Sequence, residues 1–206
     1  MKIRPANISD APAASELILA TMGKAGEVLF GLGSRQRAAA AMASFFQRSA
    51  GRFSHRYVDV AEVDDRQAGL LLSFPARRLF IETLWLGLEM MREYSVGELA
   101  RLAWVNVHGD FLAKEAEPDQ YYVAHLAVAQ LFQRQGVARR LMAAAEERAR
   151  AAGLGKCALT VDLANTTARR LYESLGYAVV HTHRTPELEA RFGTGGFERR
   201  VKILTT

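Results

Sequence analysis

Apolar positions along the chain change period several times, and each change marks an element. Residues 12–22 repeat at helical steps behind Ser9 or Asp10 as a cap, and residues 34–50 do so again, rich in Ala with Met42, Phe45 and Phe46 on one side. Tyr57 to Val63 alternates apolar and polar for part of its length, Asp64-Asp65-Arg66 turns the chain, and Gly69 to Phe74 is a continuous apolar run. That order predicts a β-hairpin. Ile81, Leu84, Trp85 and Leu88 then recur at three- and four-residue steps, predicting an amphipathic helix over Arg78 to Tyr94, with a second over Val96 to Leu112. The apolar stripe of the first walls a pocket, extends the core or forms a dimer face, because pattern reports burial and not the partner.

Tyr121 to Val128, aromatic and β-branched, reads as a buried strand. The loop Gln133-Arg134-Gln135-Gly136 follows and opens into an Ala-rich helix from Val137 to Ala152, with Val137, Leu141, Ala145 and Ala149 on one small-residue face and Gly153 as its C-terminal cap. Cys157 to Asp162 is a short apolar strand, and Asn165 precedes a further helix that ends before Gly176-Tyr177. A helix start offers unpaired N–H groups and the positive end of the helix dipole, and a Gly there removes the Cβ that would hold an anion away. Strand, Gly turn and helix together build an anion cradle. Neither G-x-G-x-x-G nor G-x-x-x-x-G-K-[ST] is present in this turn, so it is not a dinucleotide or P-loop fingerprint.

At 206 residues the chain is long enough for one domain with a substantial core, and no linker or repeat divides it. With 27 Lys+Arg against 22 Asp+Glu the formal charge is +5, which suits an anionic ligand but is too small and dispersed to require nucleic acid. The single Cys157 excludes an internal disulfide. No charged-then-apolar leader pattern opens the chain, so a reducing cytoplasm is the expected location. The most apolar stretch, Leu79 to Met91, is interrupted by Glu82 and Glu89 and is short of the roughly 20 residues a bilayer needs, so no membrane role is expected. His55, His108, His125, His181 and His183 are scattered, with only His181 and His183 close and no cysteine or carboxylate cluster beside them, so no metal is expected.

Gln133, Gly136 and Ala138 fill the pattern [RQ]-x-x-G-x-[GA], and Asn165, Ala168, Leu171, Tyr172, Gly176 and Tyr177 fill an Asn followed by A-x-x-L-Y-x-x-x-G-[FY]. In these two blocks the chain resembles the GNAT (GCN5-related N-acetyltransferase) superfamily. Ile3-Arg4-Pro5-Ala6 with Asp10 resembles its first strand and loop, and Phe197 to Leu204 its closing strand. The resemblance implies an α/β acyl-CoA N-acyltransferase fold, a mixed, mostly antiparallel sheet flanked by helices, in a single domain over 1–206. A helical insertion at about 77–117, before the fourth strand, departs from the family's simplest pattern.

It also implies acetyl-CoA as co-substrate and an amine acceptor. The backbone of Leu126, Ala127 and Val128 would pair with the pantetheine arm and hold the oxyanion. Amides from Arg134 through Gln135, Gly136, Val137 and Ala138 to Arg139 would meet the pyrophosphate, while Asn165 and Ala168 belong to the same coenzyme site. Tyr172 is implied as the general acid for the departing thiolate; read from the pattern alone it is a core tyrosine on the face of Ala168, Leu171 and Leu175, and Asn165 is an N-cap. A general base is expected from His125, Tyr122 or Glu62. Strand alternation sets His125 on the opposite face from Tyr122, Ala124 and Leu126. The alternative function is a non-catalytic acyl-CoA sensor or interaction module on the same fold.

Overall fold

The structure is a computed structural model that describes residues 1–108, 115–184 and 195–205. Its strands are β1 (Lys2–Pro5), β2 (Val58–Val63), β3 (Arg66–Pro75), β4 (Tyr121–Val128), β5 (Lys156–Asp162), β6 (Ala178–Arg184) and β7 (Gly196–Ile203). They form one sheet in the order β1-β2-β3-β4-β5-β7-β6, antiparallel throughout except where β4 and β5 run parallel. The mixed, mostly antiparallel sheet expected from sequence is therefore present.

Helices α1 (Ala11–Gly31) and α2 (Arg35–Gln47) cover one face. Their Ile18, Leu19, Met42, Phe45 and Phe46 pack with Val58, Val60, Leu70, Leu72 and Phe74 of the central strands. Sequence placed the end of the first helix at residue 22, where Gly23 indeed leaves helical geometry (φ 55°, ψ −140°). Helical turns resume beyond it because Leu29 and Phe30 are buried there, Phe30 meeting the rings of Phe45 and Phe53 edge-on at 6.0 and 5.4 Å. On the other face lie α5 (Val137–Ala151) and α6 (Thr166–Ser174), burying Val137, Leu141, Ala145, Ala149 and Tyr172 against Leu71, Val123, Cys157 and Leu159.

An ion pair ties α5 to the sheet. Asp59 on β2 is fully buried and accepts a hydrogen bond from Arg148, while its Oδ2 has no hydrogen-bond partner. Burial pushes the Asp59 carboxyl above its ordinary pKa, with Arg148 opposing that rise. Arg148→Met leaves the carboxylate buried and unpaired, an expected cost of about 3 kcal/mol. Because the penalty falls on the charged form, the deficit against the natural protein should shrink as pH drops towards the Asp59 pKa. Urea titrations of both proteins at pH 7 and pH 4 check this.

Between β3 and β4 come α3 (Leu79–Glu93) and α4 (Val96–His108), the inserted helices that the apolar spacing predicted; the last part of the expected second helix, to Leu112, lies outside the described residues. The orientation of α3 inverts the simplest amphipathic expectation. Its stripe of Phe80, Ile81, Leu84, Trp85, Leu88 and Met91 faces outward, Phe80 being 75% exposed, so that stripe does not extend the core. The residues it buries are Glu82 and Glu89, at 1% and 5% exposure. Glu82 accounts for this, because it accepts from the Gly51 amide at 2.9 Å, the Tyr57 hydroxyl at 2.5 Å and both Nε and Nη2 of Arg78. A carboxylate with that many donors holds the helix more specifically than apolar contact does. Among the described residues no single helix is long and apolar enough to cross a membrane.

Candidate active site

The parallel pair β4–β5 is the weak seam of the sheet. Its register runs only through Tyr121–Cys157, Tyr122–Ala158 and Val123–Leu159, whereas on its other side β4 stays paired with β3 as far as Val128. From Ala124 onward the edge of β4 that faces β5 therefore has no strand partner among the described residues. An extended chain with amide groups can add to such an edge as a further strand.

That seam leads to the start of α5. Gly136 is the N-cap residue at φ 81°, ψ 2°, a left-handed conformation that Gly adopts without Cβ strain, and no side chain caps the helix. The first amide of the helix to find a backbone acceptor among the described residues is that of Arg140, which donates to the Gly136 carbonyl at 3.2 Å. Arg134 is also left-handed, at φ 61°. The loop is braced by its glutamines: Gln133 Nε2 donates to the Val128 carbonyl at 3.3 Å and Gln135 Nε2 to that of Leu131 at 3.0 Å. Arg139 reaches α6 through the Ser174 hydroxyl at 2.8 Å. The result is a concave run of amides at the positive end of a helix dipole, suited to an anion with several oxygens.

Asn165 caps α6, its Oδ1 accepting from the Ala168 amide at 3.0 Å. The helix turns Ala168, Leu171 and Tyr172 into the same cluster as Leu126 and Val128. Tyr172 is 7% exposed, lies edge-on to Tyr177 at 6.1 Å, and its hydroxyl has no hydrogen-bond partner among the described residues. Burial pushes its phenol up to about 12. It is therefore a proton donor that stays loaded at any physiological pH.

The opposite side of the seam holds a correction. One extra residue, Ala124, is inserted in β4 opposite Leu72 and Ser73, so the register passes from Ser73–Val123 directly to Leu72–His125. A bulge of this kind reverses the alternation beyond it. His125 consequently points to the α1 face, the same face as Tyr122, instead of the opposite one that alternation predicted. It packs against Phe53 at 5.7 Å, and its Nδ1 lies 2.6 Å from Thr21 Oγ1. The Thr21 hydroxyl gives its one proton to the Ile18 carbonyl at 2.7 Å, so Nδ1 carries the imidazole proton and Nε2 keeps its lone pair. Burial, with the Arg52 cation adding to it, pushes His125 down to about 3.

Tyr122 is enclosed, and its hydroxyl donates to Glu115 Oε1 at 3.0 Å. Arg52 Nη2 donates to both Glu115 oxygens, at 2.7 and 2.9 Å. Burial first, and then the Glu115 charge, raise the Tyr122 phenol far above its ordinary value, so its proton stays on the oxygen. Arg52 and Glu115 were not singled out from sequence; they are 63 residues apart, and Glu115 closes the insertion. Glu62 is held in an ion pair two strands away from β4. It lies on β2 across from Lys2, bonded at 2.7 Å by Arg4, which also holds Asp10. Tyr172 thus stands on one side of the seam, and His125 with the Arg52–Glu115–Tyr122 group on the other.

Other chemistry finds little support. Burial pushes the Cys157 thiol up to about 12, which leaves it an inert core group. His181 and His183 lie on β6, at the edge of the sheet. Among the described residues no three His, Cys, Asp or Glu side chains gather as metal ligands would.

A sheet that parts between two strands beside an uncapped helix start offers a free strand edge to an extended amide-bearing chain and a run of amides to an anion. The family model described as the acetyltransferase (GNAT) family matches residues 33–177, and the chain belongs to that family. No curated protein matches it in sequence. Among solved structures it is similar to one described as an acetyltransferase, at 23% identity and TM-score 0.70 with all of both chains covered. It is also similar to an N-acetyltransferase from Staphylococcus aureus Mu50, at 16% identity and TM-score 0.74 over 98% of this chain and 100% of that one. A third is the NatC complex bound to Gag peptide and CoA, at 14% identity and TM-score 0.55, with both chains fully covered. These likenesses are of fold.

Proposed function

We propose that the protein moves an acetyl group from acetyl-CoA directly to an amine, on a small molecule or on a protein. The observation that carries this reading is the parted β4–β5 seam, which joins the uncapped amides of α5 to a buried, protonated phenol at Tyr172. Amides of residues 134–139 take the pyrophosphate, the free edge of Leu126–Val128 takes the pantetheine arm, and Asn165 holds the start of α6 in place. The amine nitrogen attacks the thioester carbonyl, the carbon–sulfur bond breaks, Tyr172 gives its proton to the sulfur, and the proton that the nitrogen sheds as the amide forms passes to solvent, from which the phenol is reprotonated. Thiol release from acetyl-CoA, followed across a panel of amines, peptides and aminoglycosides, tests the reading. Coenzyme binding with no release for any acceptor would refute transfer and leave a sensor.

In this reading His125 is a hydrogen-bonding group and not the base. An imidazole at about 3 does not hold a proton taken from an alkylammonium whose pKa is about 10. The free amine is the reacting species. The rate at subsaturating amine should rise tenfold per pH unit up to the amine's own pKa, with no inflection near 6.5. The His125 ring resonances should stay constant from pH 5 to 9 in an NMR titration, and movement through a midpoint near 6.5 would restore it as a base.

A further inference from the structure

A cavity of about 670 Å³ lies between the 48–57 segment and α3. That is the size of a small-molecule site, but its walls are ionic where such sites are usually apolar. Arg48, Arg56, Arg78 and Arg92 all line it, along with Glu82 and Glu89. Of these four cations Arg78 alone is closely paired among the described residues. Glu82 is engaged by Arg78, as described above. Among the described residues, the Arg56 side chain has only a long bond, 3.4 Å, to the Ser49 carbonyl, and that of Arg48 only a 3.7 Å contact with Glu93. Arg92 is exposed and forms neither a hydrogen bond nor an ion pair among the described residues.

Glu89 is the second, independent sign of a ligand. It is 5% exposed, it lines this cavity, and its Oε2 has no hydrogen-bond partner among the described residues. The backbone leaves room for it at Gly51, which sits at φ 91° and whose Cβ, if it had one, would lie 2.8 Å from that oxygen. A buried acceptor without a donor costs free energy unless something supplies the donor. We propose that this cavity is a second binding site, for a small oxyanion that also carries an O–H or N–H donor. The oxyanion sits among Arg48, Arg56 and Arg92, its donor bonds to Glu89 Oε2, and Trp85, which also lines the cavity, offers an apolar wall to any organic body attached. Burial holds the Glu89 carboxyl up at about 6, so at pH 8 it is ionised and accepts.

Hydrogen phosphate and sulfate test this, being matched in charge and size at pH 8 while only phosphate carries a proton. Calorimetric titration of the full chain at constant ionic strength should give saturable binding, with phosphate tighter than sulfate by about tenfold, the effect of one hydrogen bond to a charged group. Glu89→Gln should erase that preference, and Arg48→Gln with Arg92→Gln should weaken both ions by at least about tenfold. Should Glu89→Gln fail to fold, the two exposed arginine changes and the phosphate-to-sulfate ratio of the natural protein still decide. Glycerol phosphate separates the sources: tighter binding than inorganic phosphate identifies an organic ester, weaker binding the free ion. No saturable heat, equal affinities for the two ions, or binding unchanged in the double arginine variant would overturn the proposal.

Discussion

Gly136→Asp is expected to weaken the affinity for CoA by more than about 100-fold while leaving the melting temperature within a few degrees of the natural protein. Asp is among the few residues that tolerate the left-handed conformation Gly136 holds at φ 81°, so the turn survives. In the free protein the new carboxylate also lies at the positive end of α5, where a negative charge is favourable by about 0.3–1 kcal/mol. Those same two facts make it destructive to coenzyme binding. The carboxylate occupies the amides that a diphosphate needs, and at about 4 Å its repulsion of a phosphate charge is about 4 kcal/mol with an effective dielectric near 20. Gly136→Asn has nearly the same shape without the charge and should lose about tenfold, the share that belongs to conformation and to competition for the amides. Calorimetry with CoA on all three proteins measures both effects. A dissociation constant for Gly136→Asp within threefold of the natural value would show that the start of α5 is not where the diphosphate lies.

The parts of this site that depend on local order were legible before any fold was known. Gln133 to Ala138 and Asn165 to Tyr177 carry their meaning in short spacing, and the structure places the first at the start of α5 and the second on α6, facing β4. What escaped depends on contacts between distant segments. The parity of β4 turns on one inserted residue, Ala124, and an alanine in a strand carries no mark that it is bulged. Hence the face of His125 could not be read by counting. The burial direction of α3 was equally hidden, because its periodicity identifies an apolar side without saying that Gly51, Tyr57 and Arg78 will bind the opposite one through Glu82. The Arg52–Glu115 pair is the extreme case, since two charged residues 63 positions apart leave no pattern at all. The strand of Glu62 was legible, but its pairing with Arg4 was not, because the register of β1 with β2 is set by the whole sheet.

Tyr172→Phe is expected to lower turnover with acetyl-CoA by about 10²- to 10³-fold, within the range for loss of a general acid and equal to about 3–4 kcal/mol of barrier. CoA affinity and stability should scarcely change, because among the described residues the hydroxyl makes no hydrogen bond that its removal would leave unsatisfied. A phenol at about 12 looks too weak an acid for a thiolate whose ordinary pKa is about 8.5. The protein itself contains the relevant comparison. Cys157 lies in the same core cluster as Tyr172, and burial pushes that thiol up to about 12. A leaving thiolate held in comparable surroundings gains basicity in the same way, which brings donor and acceptor nearly level and makes transfer close to thermoneutral. The sign of the pH dependence follows: the protonated phenol is the active form, so its contribution is intact at neutral pH and is lost only as pH rises towards 12. The natural enzyme should therefore show no alkaline limb from this group below about pH 10. A thioester with a more acidic thiol should recover much of the rate in Tyr172→Phe, because such a leaving group departs without a proton. Folded Tyr172→Phe that turns over like the natural enzyme at every pH, or that shows equal losses for good and poor leaving groups, would remove Tyr172 from the chemistry.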